Sequence, residues 1–361
     1  MTDRSRAAVL PATSPAPPSP AEPRPAFLPG TGQLRAFLEH HFLHFNSRET
    51  LDAAKAYEAH LDAGGKMMVT LAGAMSTARI GRTLSRMIRE DKVHAICCTG
   101  ANLEEDLFTL LSADRYEHCP NWRALSAEDE QALYERGLNR VTDTCIPEDV
   151  MRHVENRLRG IWERTLATEE RFFPHEFLFE VLDQPDLAEH FSISPKESWL
   201  VAAKDQQIPI YTPGWEDSTL GNIFTAWAMQ ANVFNHTCLR TGTEQLAHLA
   251  RWYRKQTTEQ EESNEQSLPG VGFFQIGGGI AGDFPICDVP MMIQDLKWTD
   301  TPYWSYFCQI SDADTSYGGY SGAVPNEKIT WGKLDVDTPK FMIASDATIV
   351  APLIFGYVLG D

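Results

Sequence analysis

One lysine near the carboxyl end stands among residues that could make its amine reactive. The segment SYGGYSGAVPNEKITWGKL, residues 316–334, has little regular pattern, yet it contains Glu327, Trp331 and Lys333. Long irregular segments inside compact domains are usually functional. An indole next to a lysine would desolvate the amine and favour its neutral form, which attacks imines and carbonyls. The alternative is a surface lysine on a turn, the usual environment of this residue type.

Three other segments have the composition of loops that approach a phosphate. They are residues 73–77 (GAMST), 99–102 (TGAN) and 277–279 (GGG). Small residues let the backbone come close to a phosphate and present N–H groups at a helix start, where the helix dipole favours anions. The pattern indicates a dinucleotide site. Tight turns without a ligand explain it equally well.

Acidic residues accompany these loops. Glu104, Glu105 and Asp106 open the helix that is predicted after Thr99, and Asp217 precedes another predicted helix. A carboxylate at the mouth of a sheet can bind the hydroxyl pair of a ribose. Acids in a first turn also stabilise helices, and Asp217 would serve as an N-cap, so a structural role is sufficient for at least one of them.

Histidine and cysteine patterns do not predict a metal site. His40 and His44 lie one helical turn apart, but no HExxH motif or carboxylate at ligand spacing accompanies them. The seven cysteines include no CxxC pair, and their odd number is typical of reduced thiols in the cytoplasm. We therefore predict a cytoplasmic protein without a bound metal.

The elements that must position these residues alternate along the chain. Six apolar runs predict strands, and most are followed by helical patterns; the runs are 66–73, 93–100, 208–213, 270–279, 303–311 and 340–346. Residues 111–200 have a mostly charged helical pattern and form an excursion from this alternation. The predicted fold class is α/β, with a doubly wound, mostly parallel sheet that binds ligands at the carboxyl ends of its strands.

The amino-terminal residues differ in composition from the remainder. Residues 1–30 contain eight prolines and are predicted to be a disordered arm. Residues 31–361 are predicted to form a single domain. Within it, Asn46 and Glu49 resemble a capping box for a helix.

Composition limits the possible partners. The chain has 361 residues, with 31 Lys and Arg against 50 Asp and Glu and a formal net charge of −19. We expect no nucleic-acid partner, because binding to a phosphate backbone depends on clustered basic residues. Cationic partners such as polyamines suit the charge better. The longest apolar stretch, residues 349–360, is shorter than the roughly 20 residues that cross a bilayer, so no membrane anchor is predicted.

Taken in order, the motifs resemble those of one family. The chain resembles the deoxyhypusine synthase family, and especially its bacterial deoxyhypusine synthase-like branch. The resemblance lies in the runs LAGAMSTARIGRTLSRMI, VHAICCTGANLEEDLF, GLNRVTDTCIP, IPIYTPGWEDSTLGNIF, FFQIGGGI, SGAVPNEKITWGKL and SDATIVAPLI. The resemblance covers residues 34–361. It implies a Rossmann-like NAD-binding domain in a homotetramer. It also implies an enzyme that oxidises spermidine with NAD, holds the aminobutyl group as an imine on a lysine and transfers it to an acceptor amine.

The resemblance assigns roles to individual residues. Lys333 matches the lysine that carries the imine, Trp331 the tryptophan beside it, and Glu327 a carboxylate that binds an ammonium end. The positions that contact the cofactor are Ser76, Thr99, Glu105, Asp217, Gly278, Ser321, Asp346 and Ala347.

Three positions depart from the eukaryotic pattern. A histidine pair expected after the triple glycine is replaced by Asp283 and Phe284, so we predict that Asp283 substitutes as the general base. Two acidic positions that bind polyamine fall on Tyr317 or Tyr320 and on Asn222. We assign Tyr320 and Asn222 to the substrate.

The lost carboxylates favour a shorter or differently charged ligand. We therefore favour transfer of the aminobutyl group, from spermidine or putrescine, to a free diamine such as putrescine, which gives homospermidine. One alternative is a true deoxyhypusine synthase that acts on a lysine of a translation factor. The other is a catalytically silent NAD-binding scaffold, although the intact Lys333 argues against it.

Overall fold

Six parallel strands form the central sheet, as the six apolar runs predict. In the described residues the strands are β1 (Lys66–Leu71), β2 (Ala95–Cys98), β3 (Glu117–His118), β4 (Leu138–Val141), β5 (Thr144–Pro147), β6 (Ile210–Tyr211), β7 (Val271–Ile276), β8 (Tyr306–Ile310) and β9 (Lys340–Ile343). The parallel sheet has the order β6-β2-β1-β7-β8-β9. The chain moves from β1 to one edge, returns to β7 beside β1 and continues to the other edge. This is the strand order of doubly wound dinucleotide-binding folds, whose ligands bind where the order reverses.

The structure is a computed structural model that describes residues 30–231, 236–258 and 269–361. Its helices are α1 (Gln33–His41), α2 (Phe45–Asp62), α3 (Gly81–Arg89), α4 (Gly100–Ser112), α5 (Ala127–Glu135), α6 (Glu148–Thr168), α7 (Pro174–Leu182), α8 (Trp199–Asp205), α9 (Thr219–Gln230), α10 (Gly242–Thr257), α11 (Gly279–Ile286), α12 (Asp288–Gln294), α13 (Glu327–Thr330) and α14 (Ala347–Val358). The predicted arm, apart from Gly30, lies outside the described residues. Within the described ranges, no helix is both long and apolar enough to cross a membrane.

Apolar side chains cover both faces of the parallel sheet. Along β7, Phe274 and Ile276 belong to a large cluster that includes residues of α2, α3, α4 and α14. Val271 and Phe273 belong to a second cluster with residues of α10, α11 and α12. Because both faces are buried, the strands are nearly continuous apolar runs in the sequence.

The excursion between residues 111 and 200 is not purely helical. It contains α5 to α8, and also an antiparallel sheet in the order β3-β5-β4 that the charged helical pattern does not predict. Val141 pairs with Thr144, so β4 and β5 are joined by a two-residue turn. Thr142 has a φ of 52° in this turn. The usual signal for such a turn is Asn-Gly, which is absent here.

The predicted capping box of α2 is wrong. The N-cap is His44, which makes no side-chain cap. Asn46 instead donates through Nδ2 to the carbonyl oxygen of Ala344 at 3.0 Å, and Glu49 accepts from the N–H of Met342 at 3.1 Å. These two side chains therefore join α2 to the end of β9, a contact between residues about 300 apart in sequence.

A buried asparagine holds the loop after β1 against the start of α4. Asn102 donates through Nδ2 to the carbonyl oxygens of Leu71 and Gly73, at 3.2 and 2.8 Å. Its Oδ1 accepts from the N–H of Ser76 at 2.9 Å, and its carbonyl oxygen accepts from Ser76 Oγ at 2.7 Å. One side chain thus fixes the carboxyl ends of β1 and β2 relative to each other.

We expect Asn102→Ala to lower the free energy of unfolding by about 2–4 kcal/mol, since it removes the partner of the buried Ser76 N–H and of the Ala72 carbonyl oxygen. Denaturant unfolding of the full chain measures this change. The control is Asn326→Ala, at an exposed position whose side chain caps nothing, which should change stability by less than about 0.5 kcal/mol. Equal stability of the Asn102 variant and the wild type would contradict the role of this side chain.

Candidate active site

One cavity brings most of the carboxyl-terminal candidates together. It has a volume of about 680 Å³ and is lined by residues that include Asp283, Cys287, Tyr320, Glu327, Lys328, Trp331 and Lys333. Its walls come from α11, which follows β7, and from the segment after β8 that was predicted to be functional. That segment contains a short 3₁₀ turn (Tyr320–Gly322) and α13.

The Lys333 amine is buried and paired with a carboxylate. Lys333 is 7% exposed, and its Nζ lies 3.3 Å from Oδ1 of Asp283. The same Nζ lies 5.5 Å from the ring centroid of Tyr320 and 5.9 Å from that of Trp331. Trp331 itself is 63% exposed. The indole therefore borders the amine, as expected, but the other walls of the cavity bury it.

Asp283 is placed where a proton acceptor for this amine would be needed. It lies on α11, and its side chain is 50% exposed. Its Oδ1 also accepts from Sγ of Cys287 at 3.5 Å. Burial raises the pKa of the Cys287 thiol, which therefore stays protonated at neutral pH. Sequence reasoning did not identify Cys287 as part of the site.

Two buried glutamines support the turn that carries Tyr320. The Tyr320 hydroxyl donates to Oε1 of Gln275 at 2.8 Å. Gln309 donates through Nε2 to the carbonyl oxygen of Ser321. The two glutamines are register partners on β7 and β8, and each is the one amide side chain of its strand, next to the carboxyl end. That pattern could have identified them in the sequence. Tyr317, the alternative to Tyr320, is 84% exposed.

A second lysine lies in the wall of the same cavity. Lys328 is 2% exposed, and its Nζ donates to the carbonyl oxygen of Ala323 at 3.2 Å. This Nζ lies 4.9 and 5.0 Å from the ring centroids of Phe307 and Tyr320. Among the described residues it has no carboxylate within ion-pair distance. Burial, and next the charge of Lys333, lower the pKa of Lys328 to about 8.

The carboxylates predicted to contact a cofactor border a different cavity. Glu105, Asp217 and Asn222 line this space of about 650 Å³ at the starts of α4 and α9. Glu105 accepts from the hydroxyl of Thr77, and burial raises its pKa. Asn222 donates through Nδ2 to backbone carbonyl oxygens. The structure thus groups Asn222 with the predicted cofactor residues and not with Lys333.

The neighbours of Glu105 have structural roles. Glu104 accepts from the first two N–H groups of α9, at 2.9 and 2.7 Å, and burial raises its pKa to about 7. Asp106 accepts from the hydroxyl of Ser198, the N-cap of α8, and burial raises its pKa to about 6. The N-cap of α9 is Ser218 and not Asp217. The exposed carboxylate of Asp217 is therefore available to a ligand.

The remaining cofactor candidates lie at the carboxyl edge of the sheet. Ser76, Thr99 and Gly278 follow β1, β2 and β7. The Ser76 hydroxyl bonds Asn102 and the indole of Trp199, and the Thr99 hydroxyl donates to a backbone carbonyl. Both hydroxyls therefore have structural partners.

Two further pairs complete this edge. A Cβ on Gly278 would lie 1.6 Å from Oγ of Ser321, so only glycine permits these two loops to touch. Asp346 is the N-cap of α14 after β9, and Ala347 is the first residue of that helix.

Comparison with known proteins decides the family. Residues 39–358 match the family model described as deoxyhypusine synthase. The chain belongs to the deoxyhypusine synthase family. It is 27% identical over 297 residues to a deoxyhypusine synthase-like protein of Chlorobaculum parvum, a match that covers 81% of this chain and 75% of that protein. A deoxyhypusine synthase-like protein of Cyanothece is 26% identical over 349 residues, covering 93% of this chain and 82% of the relative.

A solved structure supports the fold of this deoxyhypusine synthase family member. A crystal structure from Entamoeba histolytica, of a protein assigned as a deoxyhypusine synthase, superposes with a TM-score of 0.51 and covers 90% of this chain and 91% of its own. The sequence identity is 13%. At that identity the likeness concerns the fold alone.

We expect Lys328→Met to raise the free energy of unfolding at pH 7, by at most about 3 kcal/mol, because it removes an ammonium without an anionic partner. The pKa of Lys328 falls from its usual 10.5 to about 8 on folding. Between these values the unfolded chain holds a proton that the folded chain has lost, so wild-type stability rises with pH. The advantage of the variant should therefore shrink from pH 8 to pH 10.5.

Denaturant unfolding at pH 7 and pH 10 tests this expectation. Lys255→Met, at an exposed lysine of α10, is the matched control and should show no such dependence on pH. A Lys328 variant that is less stable than the wild type at pH 7 would contradict the interpretation.

Proposed function

We propose that this protein is an NAD-dependent aminobutyl transferase. It moves a four-carbon amine fragment from a polyamine, through an imine on Lys333, to an acceptor amine. The favoured acceptor is putrescine, and the product is then homospermidine. The observation that carries the proposal is the buried Lys333 amine, 3.3 Å from Asp283, in a cavity that also presents Glu327.

The carboxyl edge of the sheet fits a dinucleotide. The strand order reverses between β1 and β7, and the carboxylates of Glu105 and Asp217 border a cavity that can accept ribose hydroxyls. Gly278 and Ser321 touch where a side chain would otherwise separate them. NAD would be held by these residues together with Ser76, Thr99, Asp346 and Ala347. When bound, it would supply the hydride acceptor for the oxidation of the donor and the hydride for the final reduction.

The side chains of the Lys333 cavity would bind and order the amines. Glu327, which has no ion pair within the described ranges, would bind an ammonium end, a charge-assisted contact worth about 1.5–3 kcal/mol. Asp283 would accept the proton that the Lys333 ammonium must lose before its nitrogen can attack. Lys333 Nζ then forms the C=N bond to the oxidised carbon of the four-carbon fragment, while the nitrogen that this carbon carried in the donor leaves as an amine or as ammonia. The acceptor amine reverses this exchange and frees Lys333.

Two alternatives make different predictions. A deoxyhypusine synthase would use the same lysine chemistry with a lysine of a translation factor as acceptor. A silent scaffold would bind NAD and transfer nothing, but it would not require the buried pair of Lys333 and Asp283. The family resemblance also supports a homotetramer, which sedimentation of the full chain can measure.

Product analysis distinguishes these alternatives. We expect purified protein with NAD and putrescine, with or without spermidine, to form homospermidine that mass spectrometry detects as a new triamine. A parallel reaction contains spermidine and a translation factor that carries the lysine acceptor. Modification of that lysine, with no homospermidine formed in the first reaction, would identify a deoxyhypusine synthase, and no product in either reaction would contradict transferase activity.

The covalent step has a separate test. We expect Lys333→Ala to abolish transfer, a loss of at least about 1,000-fold, because no other residue would carry the imine. Borohydride should trap the fragment on the Lys333 peptide of the wild type only, and NAD affinity should stay within about twofold. Lys255→Ala, at the exposed lysine, is the control and should be trapped normally. Turnover by the Lys333 variant at the wild-type rate would remove the lysine from the mechanism.

A further inference from the structure

The Lys333 cavity contains as many positive as negative groups. Its charged lining residues are Asp283, Glu327, Lys328 and Lys333. Asp283 already forms an ion pair with Lys333 at 3.3 Å. Glu327 is exposed and has no ion pair among the described residues. One carboxylate is thus left for an incoming amine. No carboxylate of the described residues lies within ion-pair distance of Lys328, although the charges of Glu327 and Asp283 act on its ammonium from farther away and raise its pKa.

Packing and a hydrogen bond fix the ammonium group of Lys328 in the wall of this cavity. Its Nζ is held between the rings of Phe307 and Tyr320, at 4.9 and 5.0 Å, and donates to the Ala323 carbonyl oxygen. The side chain is 98% buried, since the residue is 2% exposed. Tyr320 faces Lys333 as well, at 5.5 Å, so both amines border the same part of the cavity. Near pH 7 the Lys328 amine is mostly protonated, because its pKa is about 8.

We propose that Lys328 is a specificity-determining residue that disfavours amines with a third positive charge, so that this protein selects short diamines over triamines such as spermidine. The inference rests on the proposed function in so far as the cavity binds amines. Charges separated by less than the Debye length, about 8 Å at physiological salt, repel one another with little screening. A diamine can place one ammonium at Glu327, whereas a triamine brings a further charge that meets Lys328 and no free carboxylate.

The reaction then needs only one kind of amine. Putrescine serves as donor and as acceptor, and two putrescine molecules give homospermidine and ammonia. The electrons that leave the donor return to the product in the reduction, so NAD is regenerated. The nitrogen lost from the donor leaves as ammonia when Lys333 forms the imine.

A matched pair of ligands isolates the effect of charge. Spermidine and 1,8-diaminooctane have the same chain length and the same terminal ammonium groups, but the second has a methylene in place of the central charged nitrogen. Calorimetry of the full chain with NADH at pH 7 gives the two dissociation constants without turnover. The ratio of these constants in a variant, divided by the ratio in the wild type, cancels the difference in hydrophobicity between the ligands.

We expect the ratio of the dissociation constants, spermidine over 1,8-diaminooctane, to be lower by about tenfold or more in Lys328→Met than in the wild type. The uncharged side chain of methionine is of similar length. In Lys328→Arg, which keeps the charge, the ratio should stay within about threefold of the wild-type value. An unchanged ratio in the Met variant would overturn the proposal.

A measurement on the wild type does not depend on the folding of a variant. With one amine supplied at a time, we expect kcat/KM for putrescine to exceed that for spermidine by about tenfold or more, and a higher value for spermidine would overturn the proposal. If no amine gives a product, the proposed transferase fails, but the binding ratios still decide whether Lys328 selects by charge.

Discussion

Buried amide side chains at the carboxyl edge of the sheet must find hydrogen-bond partners inside the protein, and both cavities depend on this requirement. Asn102, Gln275 and Gln309 are each completely buried. A buried amide group without a partner costs about 1–3 kcal/mol, so each of these side chains is bound to the loop it contacts. Oε1 of Gln309 is the exception, with no partner among the described residues. Asn102 fixes the loop after β1, while the paired glutamines of β7 and β8 hold the turn at Tyr320–Gly322. The site is therefore built on the sheet itself, although its residues come from long loops.

The sequence predicts those parts of the structure that depend on local pattern. The strands of the parallel sheet are predictable because burial on both faces makes them apolar throughout. The β4–β5 hairpin is not, because Thr142 occupies a turn position where glycine or asparagine is the usual signal. Lys328 is also unpredictable, since a lysine between glutamate and isoleucine looks like a surface residue. Its burial arises from packing against Phe307 on β8, a long-range contact.

Candidate residues separate into two groups on either side of the point where the strand order reverses. Glu105 lies on α4 after β2, and Asp217 lies between β6 and α9. Asp283 and Lys333 follow β7 and β8, with β1 between the two groups. Neighbouring parallel strands are about 4.8 Å apart, and β2 and β8 are three strands apart in the sheet, so the distance between them is roughly 14 Å. A ligand that used both groups would have to be extended across the sheet. Asn222 lies in the Glu105 group within one chain, and its predicted contact with the amine finds no support in this arrangement.

Net charge and local charge would act at different stages of the proposed amine binding. The chain carries a formal charge of −19, which attracts any cationic amine over distances that depend on ionic strength. Attraction of this kind increases with the number of charges on the amine and favours the longer polyamines. Inside the Lys333 cavity two lysines balance two carboxylates, so the short-range interactions do not bind an amine more tightly when it carries an additional positive charge. The proposed selection for a diamine would therefore come from the cavity and would work against the field of the protein as a whole.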